Sequence, residues 1–390
     1  MSLPAPPRLR VALLIETSNR YGRDLLHGVH DWVNAGANWS IRLTEQARRA
    51  PLPAWMRTWE GDGIIARVDS AVIATALRRT GLPVVDVSAE RAKSIFPRVS
   101  IDNTAVARMA AEHLLGKNLR HFAYCGDGQY LWSRLRGEAF GRELRAQGRR
   151  SVDFPARRTA GQGWERETQA MAAWLAGLPK PVGVFACYDA RAQQVLEACH
   201  VAGLSVPDQV AVLGVDDDEL VCELCDPPLS SVLPNARRTG YEAAATLSKL
   251  MAGQPAGVVG LKEIEPVRVV SRRSTEALAV ADRHVAEAMR FIREHAHDGI
   301  GVKDVLRAVP VSRTLLERKF GHVLGESPHR LIKRQKIDRV RQLLAETDVP
   351  IARIADMTGF ESPSYLSAAF RRETGESPRA FRTKHRQPAR

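Results

Sequence analysis

The sequence lacks a long hydrophobic run, since no stretch of its 390 residues approaches 18 consecutive apolar residues. A membrane-spanning helix needs about 20 such residues, so we expect none. The first segment, Met1 to Arg10, contains three prolines and no apolar core, which excludes a secretory signal. We therefore expect a cytoplasmic protein with no membrane partner.

Cysteine is also scarce, and the five cysteines, at positions 125, 187, 199, 222 and 225, form no disulfide framework. An odd, scattered set is typical of free thiols in a cytosolic protein. Cys222 and Cys225 form a lone C-x-x-C, whereas zinc would need further ligands at matching spacing and a redox role would need a helix that opens there. No P-loop and no G-x-S-x-G segment occurs. We expect no metal, no cofactor and no enzymatic activity.

The positive charge of the chain is concentrated near its C-terminus. Residues 283 to 390 contain 22 Lys+Arg and 13 Asp+Glu, so they carry +9 of the formal charge of +13. A local excess of this kind suits a polyphosphate partner, because neutralising phosphates releases condensed counterions. The alternative is a basic surface that only keeps the protein soluble. The length, with 44% hydrophobic and 26% charged residues, indicates a globular chain of two or three domains.

Residues 8 to 274 alternate short apolar runs with longer amphipathic stretches, which predicts a doubly wound α/β fold. The predicted strands are Val11–Ile15, Gly63–Ala66, Pro83–Val87, His121–Cys125, Val182–Ala186 and Val210–Val215, with a late strand at Pro266–Val270. The predicted helices are Asp24–Val33, Thr104–Leu115, Arg136–Arg145, Trp164–Leu175, Ala190–Ala202 and Thr239–Met251. A second series of alternating strands and helices begins near Asn103, which favours a fold with two similar lobes.

The C-terminal part of the chain repeats itself at an offset of 50 residues, most visibly in the tetrapeptide GESP at 325–328 and again at 375–378. Each copy predicts a short helix, a turn and a longer helix that starts at a serine, Ser312 or Ser362. One uninterrupted helix from His329 to Val349 is predicted between the copies. The result is an all-α region with two helix-turn-helix units, 302–324 and 351–374.

The outward face of each longer helix carries groups that can bind DNA. These are Arg313, Thr314, Glu317 and Arg318 in the first copy, and Ser364, Ser367, Ala368 and Arg371 in the second. Arginine can pair with guanine edges, glutamate can accept from cytosine, and hydroxyl groups serve bases or phosphates. The alternative is a solvated polar face. We expect double-stranded DNA as a partner.

Residues 283 to 386 resemble the AraC/XylS family of transcription regulators, most clearly in the segment Gly359 to Leu366 and in the closing GESP-x-x-FR at 375–382. The resemblance implies that bases are read by Arg313, Thr314, Glu317 and Arg318 in the first unit and by Pro363, Ser364, Ser367 and Ala368 in the second. Because the second face is poor in long donors, we expect the first unit to carry most base specificity and the second mainly to hold phosphate. Two units on a rigid connecting helix would read successive major grooves, roughly 34 Å apart, and hence an operator with direct-repeat or asymmetric half-sites.

Acidic residues follow the predicted strands of the α/β region: Glu16, Asp69, Asp86, Asp127, Asp189 and the run Asp216 to Asp218. Ligands of such sheets bind at the carboxyl ends of the strands. Carboxylates there can hold a metal, act as paired acid and base, or accept hydrogen bonds from a sugar, and with no histidine at ligand spacing the sugar fits best. Arg136 can donate to a sugar, and Tyr21 or Trp132 can cover its ring. For any single acid, a helix N-cap or a solvated loop is the alternative.

Residues 8 to 275 resemble the ligand-binding core of LacI/GalR-type regulators, which share the two-lobed fold of periplasmic sugar-binding proteins. The segments Val99–Asn103, Arg134–Phe140, Val206–Asp217 and Val267–Thr275 carry the resemblance. It implies ligand contacts at Arg136, Asp189 and Asp216. It also implies a domain at 8–274, with one lobe at about 8–102 and 229–263, the other at 103–228 and 264–274, and a linker at 275–282. We expect no N-terminal DNA-binding helices of the LacI type, since Arg8 opens directly on the first predicted strand.

A LacI-type sensor followed by an AraC-type DNA-binding domain resembles the activators of bacterial xylose operons. That resemblance implies D-xylose as inducer, a homodimer, contact with RNA polymerase, and activation of genes for xylose uptake and catabolism. One alternative is a regulator of another pentose or hexose, because a single side chain can admit or block one hydroxymethyl group. An alternative of another class is a DNA alkylation-repair enzyme fused to an AraC-type tail, which the cysteine spacing disfavours.

Overall fold

The computed structural model describes residues 8–47, 50–88, 95–117, 119–155, 163–255, 260–276, 283–347 and 349–385. The chain divides into two compact units, Met1–Ala279, which is α/β, and Val280–Arg390, which is all-α. The predicted succession of fold classes is therefore present. In the part of the chain that the structure describes, no helix is long and apolar enough to cross a membrane.

The α/β unit alternates strands with helices. In chain order its strands are β1 Leu9–Leu14, β2 Trp39–Leu43, β3 Gly63–Ala66, β4 Val84–Asp86, β5 Arg98–Ile101, β6 His121–Cys125, β7 Ser151–Asp153, β8 Val182–Ala186, β9 Val210–Val215, β10 Ser230–Leu233, β11 Leu261–Ile264 and β12 Arg268–Val270. Its helices are α1 Arg20–Asn34, α2 Ala71–Arg79, α3 Asn103–Leu115, α4 Leu131–Ala146, α5 Trp164–Gly177, α6 Asp189–Val201, α7 Glu219–Leu224 and α8 Ala236–Met251.

The described strands form two six-stranded sheets, each the centre of one lobe. The first lobe has the order β11-β5-β4-β3-β1-β2, and all its strands are parallel. The second lobe has the order β12-β10-β9-β8-β6-β7, and only β12 is antiparallel to its neighbour. The chain passes between the lobes after β5, after β10 and after β11, so the carboxyl ends of strands from both lobes meet around one cleft.

Two details of the predicted domain boundaries were wrong. The segment 229–263 was assigned to the first lobe, but β10 lies in the second sheet, parallel to β9, with Val232 opposite Val215. An apolar run does not indicate which of two sheets it joins. The predicted linker began at Thr275, but this residue is fully buried in the α/β unit. Residues 277–282 of that linker lie outside the described residues.

Helices α1 and α8 pack closely against each other in the first lobe because two glycines face each other's backbone. A Cβ atom on Gly28 would lie 1.9 Å from the carbonyl oxygen of Arg237, and one on Gly240 would lie 1.9 Å from that of Leu25. Any side chain at either position would force the helices apart. The close contact fixes the start of α1, which carries part of the site described below.

The helical unit contains α9 Arg283–His295, α10 Val302–Ala308, α11 Arg313–Leu324, α12 Pro328–Glu346, α13 Ile351–Met357, α14 Pro363–Thr374 and α15 Pro378–His385. Helix α12 is the predicted connecting helix. Its first half places Leu331 in a core with Phe320 of α11, and its second half places Val340 in a separate core with Phe370 of α14. Each helix-turn-helix pair therefore has its own core, and one helix joins the two.

The longer helix of each pair begins and ends as its sequence predicts. Ser312 caps α11 by accepting a hydrogen bond from the backbone N–H of Leu315, and Ser362 caps α14 by accepting one from Tyr365. Both helices end at a glycine in the left-handed conformation, with φ of +67° at Gly325 and +82° at Gly375. These caps orient the exposed face of each helix.

Candidate functional site

The cleft between the two lobes is lined by side chains from both of them, most of which lie at the ends of strands. The first lobe contributes the first turn of α1 and the ends of β3, β4 and β5, and the second contributes α4 and the end of β9. The lining residues are Tyr21, Arg67, Val87, Ser100, Ile101, Trp132, Arg136 and Asp216.

Arg136 is the buried cation on the second-lobe side of the cleft. Its Nε donates to Asn103 Oδ1 at 2.8 Å and its Nη1 to the carbonyl oxygen of Cys187 at 2.5 Å. The guanidinium carbon lies 4.8 Å from the centre of the Trp132 ring. These contacts use part of the five N–H donors of an arginine and hold the side chain rigidly against the cleft.

Arg67 and Tyr21 form the first-lobe side. Arg67 Nη1 donates to Glu16 Oε1 at 2.7 Å, and the guanidinium carbon lies 5.8 Å from the centre of the Tyr21 ring. Burial raises the pKa of Tyr21 to about 12, against the lowering effect of Arg67, so the phenol keeps its proton and can donate as well as accept. Glu16 is buried behind Arg67 and orients it, and is not among the side chains that line the cleft.

Two other predicted ligand contacts lie outside the cleft lining. Asp69 lines an adjacent pocket together with Glu16 and Tyr130. Asp189 is buried beneath the end of β9, where its carboxylate accepts hydrogen bonds from Ser231 Oγ at 2.6 Å and from the N–H of Asp218 at 2.8 Å. Burial, with the nearby negative charge of Asp216, raises the pKa of Asp189 well above its usual range. Asp189 supports the loop after β9 from below.

The acidic run after β9 divides its three carboxylates among different surroundings. Asp216 lines the cleft, whereas Asp217 is 5% exposed and forms ion pairs with Arg20 and Arg272. Asp218 accepts a hydrogen bond from the N–H of Arg20 at the start of α1, at 3.2 Å. Asp216 and Asp217 have φ of +108° and +48°, and this left-handed backbone turns successive side chains in different directions.

The remaining predicted acids have structural roles. Asp127 accepts from the N–H group of Gln129 at 2.9 Å and from the hydroxyl of Tyr188 at 3.2 Å. Asp86 is fully buried and accepts from the N–H groups of Val68 and Ser88. Strand ends therefore supply loop-stabilising carboxylates as well as one cleft carboxylate.

Sequence reasoning missed Arg67, although the rule that identified Asp69 applies to it more directly. Arg67 follows the last residue of β3, and Asp69 comes two positions later. An arginine directly after a strand is as well placed to donate to a ligand as an acid there is to accept. Trp132, one of the two rings predicted to cover a sugar, lines the cleft, as does the other, Tyr21.

The C-x-x-C pair is buried and shows no metal-site geometry. Cys222 and Cys225 are 0% and 7% exposed, and burial raises the pKa of both thiols, that of Cys225 to about 11. Within the described ranges, no cluster of three or more metal-ligating side chains occurs. Neutral, buried thiols are poor nucleophiles and poor metal ligands.

The predicted DNA-reading residues of α11 form one exposed face. Arg313 Nε donates to Glu317 Oε1 at 2.9 Å, one turn along the helix, and Thr314 and Arg318 are exposed beside this pair. Leu316 and Phe320 point into the core and are 0% exposed. The face thus offers two guanidinium groups and a carboxylate on a rigid helix.

The corresponding face of α14 carries shorter side chains. Pro363, Ser364, Ala368 and Arg371 are exposed, and Ser367 is partly buried with its hydroxyl donating to the carbonyl oxygen of Pro363 at 2.8 Å. Tyr365 is half exposed, at 50%, on the same turn. Arg371 is the single long cation among the predicted residues of this face.

Comparison with known families divides the chain as its fold does. Residues 10–105 match the XylR N-terminal domain, residues 111–275 match a periplasmic binding protein-like domain, and residues 305–384 match a helix-turn-helix domain. The two-lobed periplasmic-binding-protein-like fold and the C-terminal helix-turn-helix domain expected from the sequence are both confirmed.

Relatives match along nearly the whole chain. The xylose operon regulatory protein of Escherichia coli K12 is 34% identical over 96% of this chain and 97% of its own length, and that of Haemophilus influenzae is 31% identical over 96% and 98%. A solved structure of a xylose-binding transcription activator superposes with a TM-score of 0.83 at 32% identity, over 98% of this chain and 100% of its own. These relatives are regulators, which indicates that this chain is a regulator and not an enzyme. The chain belongs to the family of xylose operon regulatory proteins, which are DNA-binding transcription regulators.

Proposed function

We propose that this chain binds D-xylose in the cleft between its lobes and, when the sugar is bound, activates genes for xylose uptake and catabolism. The observation that carries the proposal is the chemistry of the cleft lining. Arg67, Arg136 and Tyr21 supply donors, Asp216 supplies an acceptor, and Trp132 supplies an apolar ring face. This combination suits a polyol, whose hydroxyls donate and accept on its edges while its C–H groups contact a ring.

The sugar would favour the closed arrangement of the lobes because it contacts both. Arg136 and Asp216 belong to the second lobe, and Tyr21 and Arg67 to the first, so a ligand held by all four gains its full set of contacts only when the lobes approach. A ligand shifts a conformational equilibrium by its differential affinity for the two states. The response of the DNA-binding unit would follow from this closure.

The DNA target would be read mainly by α11, through Arg313, Thr314, Glu317 and Arg318, with Ser364, Ser367 and Arg371 of α14 chiefly holding phosphate.

The protein would act in the cytoplasm as a homodimer, on half-sites arranged as direct repeats or asymmetrically, and would contact RNA polymerase there. The length of the relatives' match and the two separately cored helix-turn-helix pairs support this proposal.

Calorimetric titration with pentoses and hexoses tests the sugar assignment. We expect saturable D-xylose binding by the native chain and a loss of at least about tenfold in affinity for Asp216→Asn, which removes a charged acceptor worth roughly 1.5–3 kcal/mol. Asp153→Asn is the matched control, because Asp153 is exposed on the edge strand β7 and outside the cleft lining. Preferential binding of another sugar, or equal affinity in both variants, would contradict the assignment.

A further inference from the structure

Asp217 forms ion pairs with a residue of each lobe, and one of these residues lies near the C-terminal end of the α/β unit. Its Oδ1 accepts from Arg272 Nη1 at 2.8 Å, and its Oδ2 accepts from Arg20 Nη1 at 3.3 Å. Arg20 is the first residue of α1 in the first lobe, whereas Arg272 follows β12 in the second. One buried carboxylate thus bridges a cation from each lobe, and it is adjacent in sequence to the cleft-lining Asp216.

The Arg20 contacts depend on the closeness of the lobes. Arg20 Nη1 also donates to the carbonyl oxygen of Asp217, and its backbone N–H donates to Asp218 Oδ2. Every one of these bonds joins α1 to the loop after β9, so separation of the lobes would break them together. Asp217 would then keep Arg272 as its remaining ion-pair partner among the described residues.

The Arg272 contacts fix the C-terminal segment of the sensor, defined here as residues 272–275. Arg272 Nε donates to Glu223 at 2.7 Å, its Nη1 to the carbonyl oxygen of Leu229 at 3.0 Å, and its backbone N–H to Ser230 Oγ at 2.7 Å. Thr275 continues the network, since its hydroxyl bonds with Ser230 Oγ at 2.7 Å and with His113 Nε2 at 2.9 Å. In the sequence this segment comes shortly before the helical unit, which begins at Val280.

We propose that Asp217 is a positioning residue that couples closure of the cleft to the C-terminal segment of the sensor, by exchanging the partners of one buried carboxylate. With the lobes closed, Arg20 and Arg272 share the charge of Asp217. With the lobes open, the carboxylate interacts with Arg272 alone, which changes the balance between Arg272 and its other acceptors, Glu223 and Leu229. Hydrogen bonds within a connected, poorly solvated network depend on one another in this way. As a mechanism of sugar response, the inference rests on the proposed function.

Hydrogen exchange of the full chain tests the coupling without assuming which sugar binds. Arg20→Gln removes the first-lobe partner of Asp217, and Arg237→Gln is the matched control, because Arg237 pairs with Asp31 inside the first lobe, at 2.5 Å. We expect Arg20→Gln to speed amide exchange in a peptide covering residues 268–276 by about fivefold or more, the lower range of known couplings, and Arg237→Gln to leave it unchanged. Equal exchange in the two variants, both with and without D-xylose, would overturn the proposal.

A second variant separates coupling from binding. Arg272→Gln leaves the cleft lining intact, so we expect D-xylose affinity within about threefold of native while the sugar-induced change in operator affinity falls by at least about fivefold. Because coupling is reciprocal, the operator should also lose its effect on sugar affinity. Arg272→Lys, which keeps the charge on a folded chain, should recover part of the response. A full response in Arg272→Gln would refute the coupling alone, whereas failure of the native chain to bind D-xylose would refute the sugar assignment and leave the exchange experiment to decide the coupling.

Discussion

The two helix-turn-helix pairs share their scaffold and differ in the face they present. Both longer helices start at a capping serine, end at a left-handed glycine and bury a phenylalanine at the same relative position, Phe320 or Phe370. On the exposed side, α11 carries two arginines and a glutamate where α14 carries small residues and one distant arginine. The residues that form each helix are repeated, whereas those predicted to meet DNA are not, as expected if the two faces have the different roles proposed above.

Loss of either core phenylalanine should have the largest effect, because each is fully buried in a core of its own. We expect Phe320→Ala and Phe370→Ala to lower stability of the affected pair by about 3–5 kcal/mol. If the pairs divide their tasks as proposed, Phe320→Ala abolishes operator preference, whereas Phe370→Ala lowers affinity and keeps the preference. Circular dichroism measures the stability and competitive operator binding measures the preference, with Trp164→Ala, an exposed aromatic of the α/β unit, as control. Equal loss of preference in the two variants would remove the distinction.

The arginines of the two faces should differ in the kind of binding they support. We expect Arg318→Ala to cost roughly 1–3 kcal/mol of discrimination between operator and scrambled DNA, as for a base contact. Arg371→Ala should weaken binding to both sequences alike and reduce the salt slope by about 1, as for a phosphate contact. Titrations of both DNAs at several salt concentrations measure this. If Ser364→Ala and Ser367→Ala abolished selectivity while Arg318→Ala kept it, the ranking of the faces would be reversed.

The capping serines should give the smallest difference. We expect Ser312→Ala to destabilise the first pair by about 1 kcal/mol, and Ser362→Ala to cost the second pair less, because Pro363 already holds the first turn of α14 in helical conformation. Urea unfolding monitored by hydrogen exchange in each helix-turn-helix pair would show which serine contributes more to stability. Ser364→Ala, one position beyond the proline and without a capping bond, serves as control. A larger loss at Ser362 would mean that the proline does not stabilise the turn.

Much of the fold follows from local patterns. Strands β3, β6, β8 and β9 have the bounds predicted from their apolar runs, and the caps of α11 and α14 follow from serine and glycine positions. The lobe that contains β10 does not follow from a local pattern, because both sheets bury their strands in the same way. Only the tertiary path of the chain decides which sheet Ser230–Leu233 joins.

The cleft could be predicted in part. Tyr21, Arg136 and Asp216 line it, whereas Glu16 and Asp189 are engaged by Arg67 and Ser231 in neighbouring layers. A sequence indicates that an acid follows a strand, but the direction of its side chain depends on backbone angles such as the positive φ of Asp216 and Asp217. The ion-pair partners that orient the Asp217 side chain, Arg20 and Arg272, are likewise distant in sequence.

The loop after β9 also bears on how such a protein can acquire a new inducer. Asp216 lines the cleft, and the next two residues, Asp217 and Asp218, bond to Arg20 of the other lobe. Asp216 and Asp217 both have positive φ. A substitution that shifts this loop to admit a larger sugar therefore also shifts the lobe contacts. Biosensor engineering at Asp216 should consequently screen affinity and response separately, and changes at Arg67 or Trp132, which lie on other elements, offer a route to altered selectivity with less effect on switching.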